Sequence, residues 1–279
     1  MLDAESVARY QEEGYLFPLR AFSAERAAAY RVEVERTCAD TPGPAVALSG
    51  TVSYRVKPYL LFTWAARLVR EAAILDAVEY LIGPDILVFH TTMWWKTRGS
   101  LNRVPWHQDG TYFGLAPFEH VTAWVALSPS NLETGCVRVV PGSHRSGQLP
   151  HADHRDPSLM LSRGQTVVAD VDTALARPIV LLPGEFSLHH TMAIHSSDPN
   201  IGPDDRIGIG ISYIPTRVRH VGPTRLSATL VRGRDTFGHF DLEAAPVADL
   251  DPAAVAVHRD SDARFWEASR SIPEMAGIH

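Results

Sequence analysis

The sequence predicts a mainly β protein with flanking helices, its core a double-stranded β-helix of jelly-roll type. Three observations predict it. Beyond Pro84 the chain falls into short β-rich runs, and Gly, Pro, Asn and Asp punctuate the stretches between them. Apolar residues at 3–4 spacing are confined to the part before Gly83 and to one stretch near the C-terminus. With 279 residues, 45% of them apolar, the chain can bury a sizeable core.

Taken in order, Asp3 can cap a helix that carries Val7 and Tyr10 and stops at Gly14. Ser23 can cap a second, running through Ala27-Ala28-Ala29 towards Cys38, before Thr41-Pro42-Gly43-Pro44 breaks the chain. Leu68, Ala72, Leu75, Val78 and Leu81 predict a third helix from Ala65 to Ile82, ended by Gly83-Pro84. The β-like runs are Ile86–His90, Val121–Leu127, Cys136–Val140, Thr166–Ala169, Pro178–Leu182, Phe186–Ile194 and Ile207–Ile214. Loop-like sequence follows Pro215, and Asp251–Ser269 reads as a last helix. With no repeat, low-complexity tract or linker, residues 1–279 read as one domain, helical over about 1–83 and jelly roll over about 84–240.

The formal charge of −6 argues against nucleic-acid or membrane-surface partners, which call for a basic face. No uncharged apolar run approaches the roughly 20 residues that span a bilayer. The acidic start, Met1-Leu2-Asp3-Ala4-Glu5, lacks the features of a signal peptide. The expectation is a cytoplasmic protein acting on a small molecule. Two cysteines without CxxC spacing, Cys38 and Cys136, speak against a zinc knuckle or a disulfide framework. Thirteen histidines turn attention to metal chemistry.

The sharpest local signal is Trp106-His107-Gln108-Asp109. A His-x-Asp pair at a strand end puts both side chains on one side of the backbone, because side chains alternate with period two. A third ligand from a distant strand would complete a two-His-one-carboxylate triad on one face of an octahedral iron(II). The segment Leu188-His189-His190-Thr191-Met192-Ala193-Ile194-His195 offers three candidates, and spacing alone does not choose among them; His189 and His195 can share a strand face. Arg206, eleven residues beyond His195 and opening a β-like run, favours His195. A ferrous site that uses 2-oxoglutarate needs a cation for the far carboxylate, and the arginine fork suits it. The competing reading of Arg206 is a surface residue paired with Asp204 or Asp205.

These residues resemble the phytanoyl-CoA dioxygenase family of iron(II)/2-oxoglutarate oxygenases, over about Tyr10 to His258. The likeness rests on Trp106-His107-Gln108-Asp109, Val121-Thr122-Ala123-Trp124-Val125-Ala126-Leu127 and Glu133-Thr134-Gly135-Cys136. It continues in Val139-Val140-Pro141-Gly142-Ser143-His144 and in His195-Ser196-Ser197-Asp198-Pro199-Asn200 with Arg206. The resemblance implies a cupin-like jelly roll in which His107, Asp109 and His195 bind iron(II). It implies Arg206, Ser197 and Trp124 at the 2-oxoglutarate, with dioxygen as the other reactant. His189 and His190 resemble a His-His pair of bacterial relatives that does not ligate metal. The implied reaction hydroxylates an aliphatic C–H of a small metabolite or natural-product intermediate, releasing succinate and carbon dioxide. Similar halogenases have Ala or Gly in place of the carboxylate, so Asp109 favours hydroxylation over halogenation; desaturation and epimerisation stay open. The alternative from another class is a non-catalytic cupin-like metal-binding protein. For substrate contacts the candidates are Trp94, Lys96, Arg103 and Tyr112, which flank the His-x-Asp pair.

Overall fold

A computed structural model describes residues 2–41, 53–154 and 156–271, and among these six α-helices and fifteen strands build the fold, eleven of the strands in two main sheets and the rest in the small pairs Leu115–Ala116 with Arg219–His220 and His151–Ala152 with Thr166–Val167. Helix α1 (Ala4–Glu13) begins where the Asp3 carboxylate accepts Ser6 N–H at 2.8 Å and ends at Gly14, whose φ of 83° closes the cap. Strand β1 (Tyr15–Arg20) and helix α2 (Ala24–Asp40), capped by Ser23, follow. The expected break at Pro42–Pro44 lies outside the described residues. The single helix expected over Ala65–Ile82 is two, α3 (Thr63–Leu68) and α4 (Ala72–Ile82). The chain turns at Val69–Glu71, which lets the buried Glu71 carboxylate accept from Tyr30 Oη at 2.7 Å and pair with Arg26 on α2. An unbroken helix would lose that partner set.

Strand β2 (Ile86–Lys96) runs six residues past its expected end, and β3 (Val104–His107) leads into the short helix α5 (Gly110–Phe113). Then come β4 (Val121–Ala126), β5 (Val137–Val139), β6 (Arg177–Pro178), β7 (Glu185–His190), β8 (His195–Ser197), β9 (Arg206–Pro215), β10 (Ser227–Arg232) and β11 (Asp241–Leu242). Helix α6 (Pro252–Ser271) closes the described chain, close to the expected last helix. Among the described residues no helix is long and apolar enough to cross a membrane.

The jelly roll consists of a larger sheet ordered β1-β7-β4-β9-β2-β10-β11 and a smaller one ordered β3-β8-β5-β6. Strands β1, β10 and β11 were not foreseen. β1 lies in the part read as helical, and its Pro18 is tolerated because it is the sheet's edge strand. β10, in sequence read as loop, pairs with β2. The run expected over Phe186–Ile194 stops at His190. Ala193 N–H bonds back to His190 O at 2.8 Å, and the chain crosses to the smaller sheet as β8. His189 and His195 therefore stand on different sheets rather than on one strand face.

Period-two alternation then sorts the larger sheet. Val121, Ala123 and Val125 of β4, Phe186 and Leu188 of β7, and Ile207, Ile209 and Ile211 of β9 pack against Tyr30, Val34, Trp64, Leu68 and Val78 of the helices. The alternate residues Thr122, Trp124, His189, Arg206, Gly208 and Gly210 are left for the inner face. At Gly208 an added Cβ would fall 2.3 Å from the Trp124 indole, and at Gly210 3.0 Å from Trp94 Nε1. The glycines of Ile207-Gly208-Ile209-Gly210 thus make room for two inward-facing indoles.

A buried ion pair ties α6 to this frame. Lys57 Nζ contacts Glu243 Oε1 (2.8 Å), Ser227 O (3.1 Å) and Ser261 Oγ (2.9 Å), while Glu243 Oε2 accepts from Tyr59 Oη and Thr229 Oγ1. Burial alone would raise the Glu243 carboxyl, but Lys57 and the hydroxyls around it hold it below its ordinary value of 4.5. Its stabilisation is therefore complete above about pH 4.5 and is lost as pH falls through the lower folded-state value. Glu243→Ala strands a buried ammonium and is expected to cost about 3–5 kcal/mol, read by urea unfolding at neutral pH. A loss under about 1 kcal/mol would show that Lys57 finds other partners.

Candidate metal centre and its cavity

The centre forms between the two sheets. In the smaller one, His195 of β8 is the cross-strand partner of His107 of β3, and their ring centroids are 4.1 Å apart. Asp109 is brought in differently from the strand alternation expected for His-x-Asp. β3 ends at His107, and Asp109 has helical backbone angles (φ −61°, ψ −35°) at the start of α5. Gln108 is wholly buried and points away from the centre, its Nε2 donating to Gly147 O and Met192 O at 2.8 Å. That anchors the turn.

One nitrogen each from His107 and His195 and one Asp109 oxygen lie within 4.8 Å of one another, the span of a single ion's ligands. Both imidazoles are held in the required tautomer. His107 Nδ1 faces Pro105 O (2.9 Å) and His195 O (3.1 Å), and His195 Nδ1 faces Ala193 O (2.9 Å). Carbonyl oxygens only accept, so each Nδ1 carries the proton and each Nε2 lone pair is free. Both Nε2 atoms lie near Asp109 Oδ1, at 3.5 and 3.7 Å. Burial, followed by the neighbouring His107, pushes His195 well below its ordinary value, so it is neutral at physiological pH. For Asp109 burial acts upward, but His195, His107 and His189 outweigh it and hold the carboxyl well below the usual range. A neutral imidazole and an ionised carboxylate are the metal-binding forms.

The larger sheet supplies the support. Thr122 Oγ1 donates to Asp109 Oδ2 at 2.7 Å and takes a bond from His120 Nε2 at 3.1 Å, which leaves Oδ1 facing the centre. Period two places Thr122 on the same face as Trp124, a signal present in Val121-Thr122-Ala123-Trp124 and not used. Thr122→Val keeps the shape and removes the donor. It is expected to weaken metal binding about 10- to 100-fold, measured by anaerobic iron(II) titration, with little change in melting temperature. His189, opposite Thr122 in the sheet, places Nε2 3.4 Å from Asp109 Oδ2 and, among the described residues, has no hydrogen-bond partner at either nitrogen. His190 faces the other way, towards Tyr10 and His144.

Arg206 is about 1% exposed and pairs with neither Asp204 nor Asp205; Asp205 instead accepts from Trp95 Nε1 and Arg98 N. Arg206 Nη1 donates to Gly135 O (2.7 Å) and Ser197 Oγ (3.0 Å), while its buried Nε has no partner among the described residues. Its guanidinium lies 5.1 Å from the centre of the Trp124 ring. Among the described residues it makes no salt bridge, and burial lowers it to about 10, still a cation at neutral pH. A buried, uncompensated guanidinium on a cavity wall is a receptor for a carboxylate.

Ser197 is fully employed. Its Oγ donates to Gly135 O (2.8 Å) and accepts from Lys96 Nζ (2.6 Å) and from Arg206, so it aims the guanidinium. Gly135 must be glycine: at φ 68° an added Cβ would fall 2.1 Å from Asp198 O.

His107, Asp109, His195, Arg206, Ser197 and Trp124 all border one cavity, together with Trp94 and Tyr112. Lys96 and Arg103, also expected at the substrate, do not border it. Lys96 is wholly buried behind Ser197, its Nζ spent on Ser197 and Asp198 O, and burial beside Arg206 lowers it to about 6. Arg103 lies on the surface, paired with Asp156 at 3.0 Å. The sequence reading missed Arg55, Val56 and His90, and beside them Asp262, Phe265 and Trp266 of α6, whose Phe265 stacks on His90 to close that side of the cavity. No local motif marks them: His90 lies on β2 with Val56 bridged to Thr92 beside it, and the residues of α6 reach the cavity only through the packing of that helix.

The profile of the phytanoyl-CoA dioxygenase (PhyH) family matches residues 10–208 of this chain. The peroxisomal phytanoyl-CoA dioxygenase of Rattus norvegicus is 28% identical over 232 residues, covering 76% of this chain and 68% of that protein. Dioxygenase lolE1 of Epichloe uncinata is 29% identical over 133 residues, and the match spans about half of either protein (48% of each). Among solved structures, the non-heme monooxygenase ThoJ superposes with a TM-score of 0.82 at 32% identity, over 95% of this chain and 97% of its own. A nickel complex of ThoJ superposes at 0.77 and 30% identity, over 95% and 98%.

Proposed function

This chain belongs to the phytanoyl-CoA dioxygenase family, and from that premise we propose that it is an iron(II)- and 2-oxoglutarate-dependent dioxygenase hydroxylating an aliphatic C–H of a small metabolite or natural-product intermediate. The observation that carries the reading is Arg206: a buried cation without a carboxylate partner among the described residues, on the same cavity as the His107–Asp109–His195 cluster. The donor set fits the cofactors. Two neutral nitrogens and one carboxylate oxygen suit iron(II), and the Arg206 fork suits the far carboxylate of 2-oxoglutarate.

When bound, iron(II) would activate dioxygen, which is the oxidant; 2-oxoglutarate would supply two of its four electrons and leave as succinate and carbon dioxide, and the substrate C–H the other two. This chain's residues position and exclude. His107, Asp109 and His195 would hold the iron(II), and as three ligands would leave coordination positions for the reactants. Asp109, tied down by Thr122, fills the place a halide would need, which favours hydroxylation over halogenation. Ser197 and Trp124 hold Arg206 in place. Trp94, Tyr112 and Phe113 give the cavity apolar walls that keep water from the reacting C–H. A mere metal-binding protein has no use for a buried guanidinium on the cavity wall that makes no salt bridge among the described residues. We take residues 1–279 as one oxygenase domain, acting in the cytoplasm.

The test is succinate release with a metabolite panel, paired with product mass. Hydroxylation adds one oxygen to the substrate, desaturation removes two hydrogens and epimerisation leaves the mass unchanged. Anaerobic iron(II) and 2-oxoglutarate should also give the weak visible charge-transfer band of the chelate. Its absence from correctly folded protein would overturn the proposal.

A further inference from the structure

We propose that Asp262 of α6 is the recognition point for a positively charged group on the substrate: a protonated amine, guanidinium or imidazolium. This rests on the reading of the cavity as the oxygenase active site.

Three observations carry it. Asp262 borders the same cavity as the metal cluster, on the wall that α6 contributes. Among the described residues it makes no ion pair, although charged side chains stand nearby. Lys57, the base that acts on it electrostatically, has its Nζ committed to Glu243, Ser227 O and Ser261. His258 Nε2 is engaged by Val56 O at 2.8 Å, and buried His90 is uncharged, lowered to about 3. The third observation is the company Asp262 keeps. Phe265 and Trp266 follow it on the helix, and Trp94, Tyr112 and Phe113 complete an aromatic lining. Phe265 stacks 5.4 Å from His90, which seats α6 against β2 and holds Asp262 in the wall. A carboxylate amid aromatic faces is an environment for a cation, which gains from both the charge and the ring quadrupoles. Burial raises the Asp262 carboxyl to about 6, so it is still ionised at neutral pH and gains from an incoming cation.

Arg206 and Asp262 then divide the labour by charge. The guanidinium takes the dicarboxylate co-substrate, and the carboxylate takes the cationic end of the molecule to be oxidised. An anionic substrate would meet Asp262 as a like charge. Arg55, the other charged residue on this part of the wall, is the group such an anion would use instead.

Three probes sharing one ring test the idea: phenethylamine, phenethyl alcohol and phenylacetate. Each is titrated against the full chain loaded anaerobically with iron(II) and 2-oxoglutarate, following the fluorescence of the wall residues Trp94, Trp124 and Trp266. The amine is expected to bind at least about tenfold more tightly than either other probe. Asp262→Asn should erase the preference, and Asp262→Glu should keep it to within a few-fold. The proposal is overturned if the alcohol or the acid binds as well as the amine, if no probe binds, or if Asp262→Asn retains the preference. Should Asp262→Asn fail to fold, the wild-type comparison and Asp262→Glu still decide. The visible band separates the two readings. Its presence with no amine preference defeats this inference alone, and its absence from the wild type defeats the oxygenase reading.

Discussion

Replacing His195 by alanine is expected to abolish the iron(II)–2-oxoglutarate absorption band and to reduce succinate release to background. Its Nε2 lone pair is the one donor that β8 offers the centre, aimed by the bond from Nδ1 to Ala193 O. Losing a ligand costs more than losing a supporting residue, so metal affinity should fall by more than about a hundredfold. His107→Ala should behave alike, since the two rings are cross-strand partners. His189→Ala is the informative contrast. His189 approaches Asp109 from the other sheet, on Oδ2 rather than on the Oδ1 that faces both histidines. Its removal should cost metal binding no more than about tenfold. A band that survives in His195→Ala and vanishes in His189→Ala would show that the distal ligand is misassigned.

The second large effect is on the co-substrate. Arg206→Met is expected to weaken 2-oxoglutarate binding by about 100- to 20,000-fold. A charge-assisted hydrogen bond in a buried site is worth about 1.5–3 kcal/mol, two are at stake, and each 1.4 kcal/mol is tenfold. Iron(II) binding in the absence of 2-oxoglutarate should be preserved, which separates this variant from His195→Ala. Arg206→Lys should recover only part of the affinity, because an ammonium cannot reproduce the planar fork that Ser197 and Gly135 orient. Stability gives a second sign to check. The protein without ligands carries a desolvated guanidinium with no salt bridge among the described residues, so an apolar side chain there should leave melting unchanged or raise it. A clear fall in melting temperature, with co-substrate affinity intact, would mean that Arg206 is a structural residue.

Much of the site was legible because its chemistry is local. Trp106-His107-Gln108-Asp109 keeps two donors within three residues, and the rigid turn anchored by Gln108 delivers them together. The likeness to relatives singled out His195, and the structure brings it beside His107, on the strand paired with β3. The jelly roll was legible too, since strands with alternating burial and Gly/Pro punctuation have few other ways to bury both faces. Less legible were elements whose local preference is overruled by neighbours. Tyr15–Arg20 becomes a strand because β7 offers an edge, and Ser227–Arg232 becomes one because β2 does.

By itself, then, the sequence determined the fold class, the donor types and the presence of a buried-strand arginine, because these depend on residue identity and short-range spacing. Only the tertiary structure decided that Lys96 stands behind Ser197, that Thr122 steadies Asp109, and that α6 brings Asp262 to the cavity wall. Those outcomes depend on which strands pair and on what the last helix packs against. Contacts made between separate strands and helices, whether thirteen positions apart as for Thr122 and Asp109 or a hundred and one as for Lys96 and Ser197, leave no periodic trace in the chain that makes them.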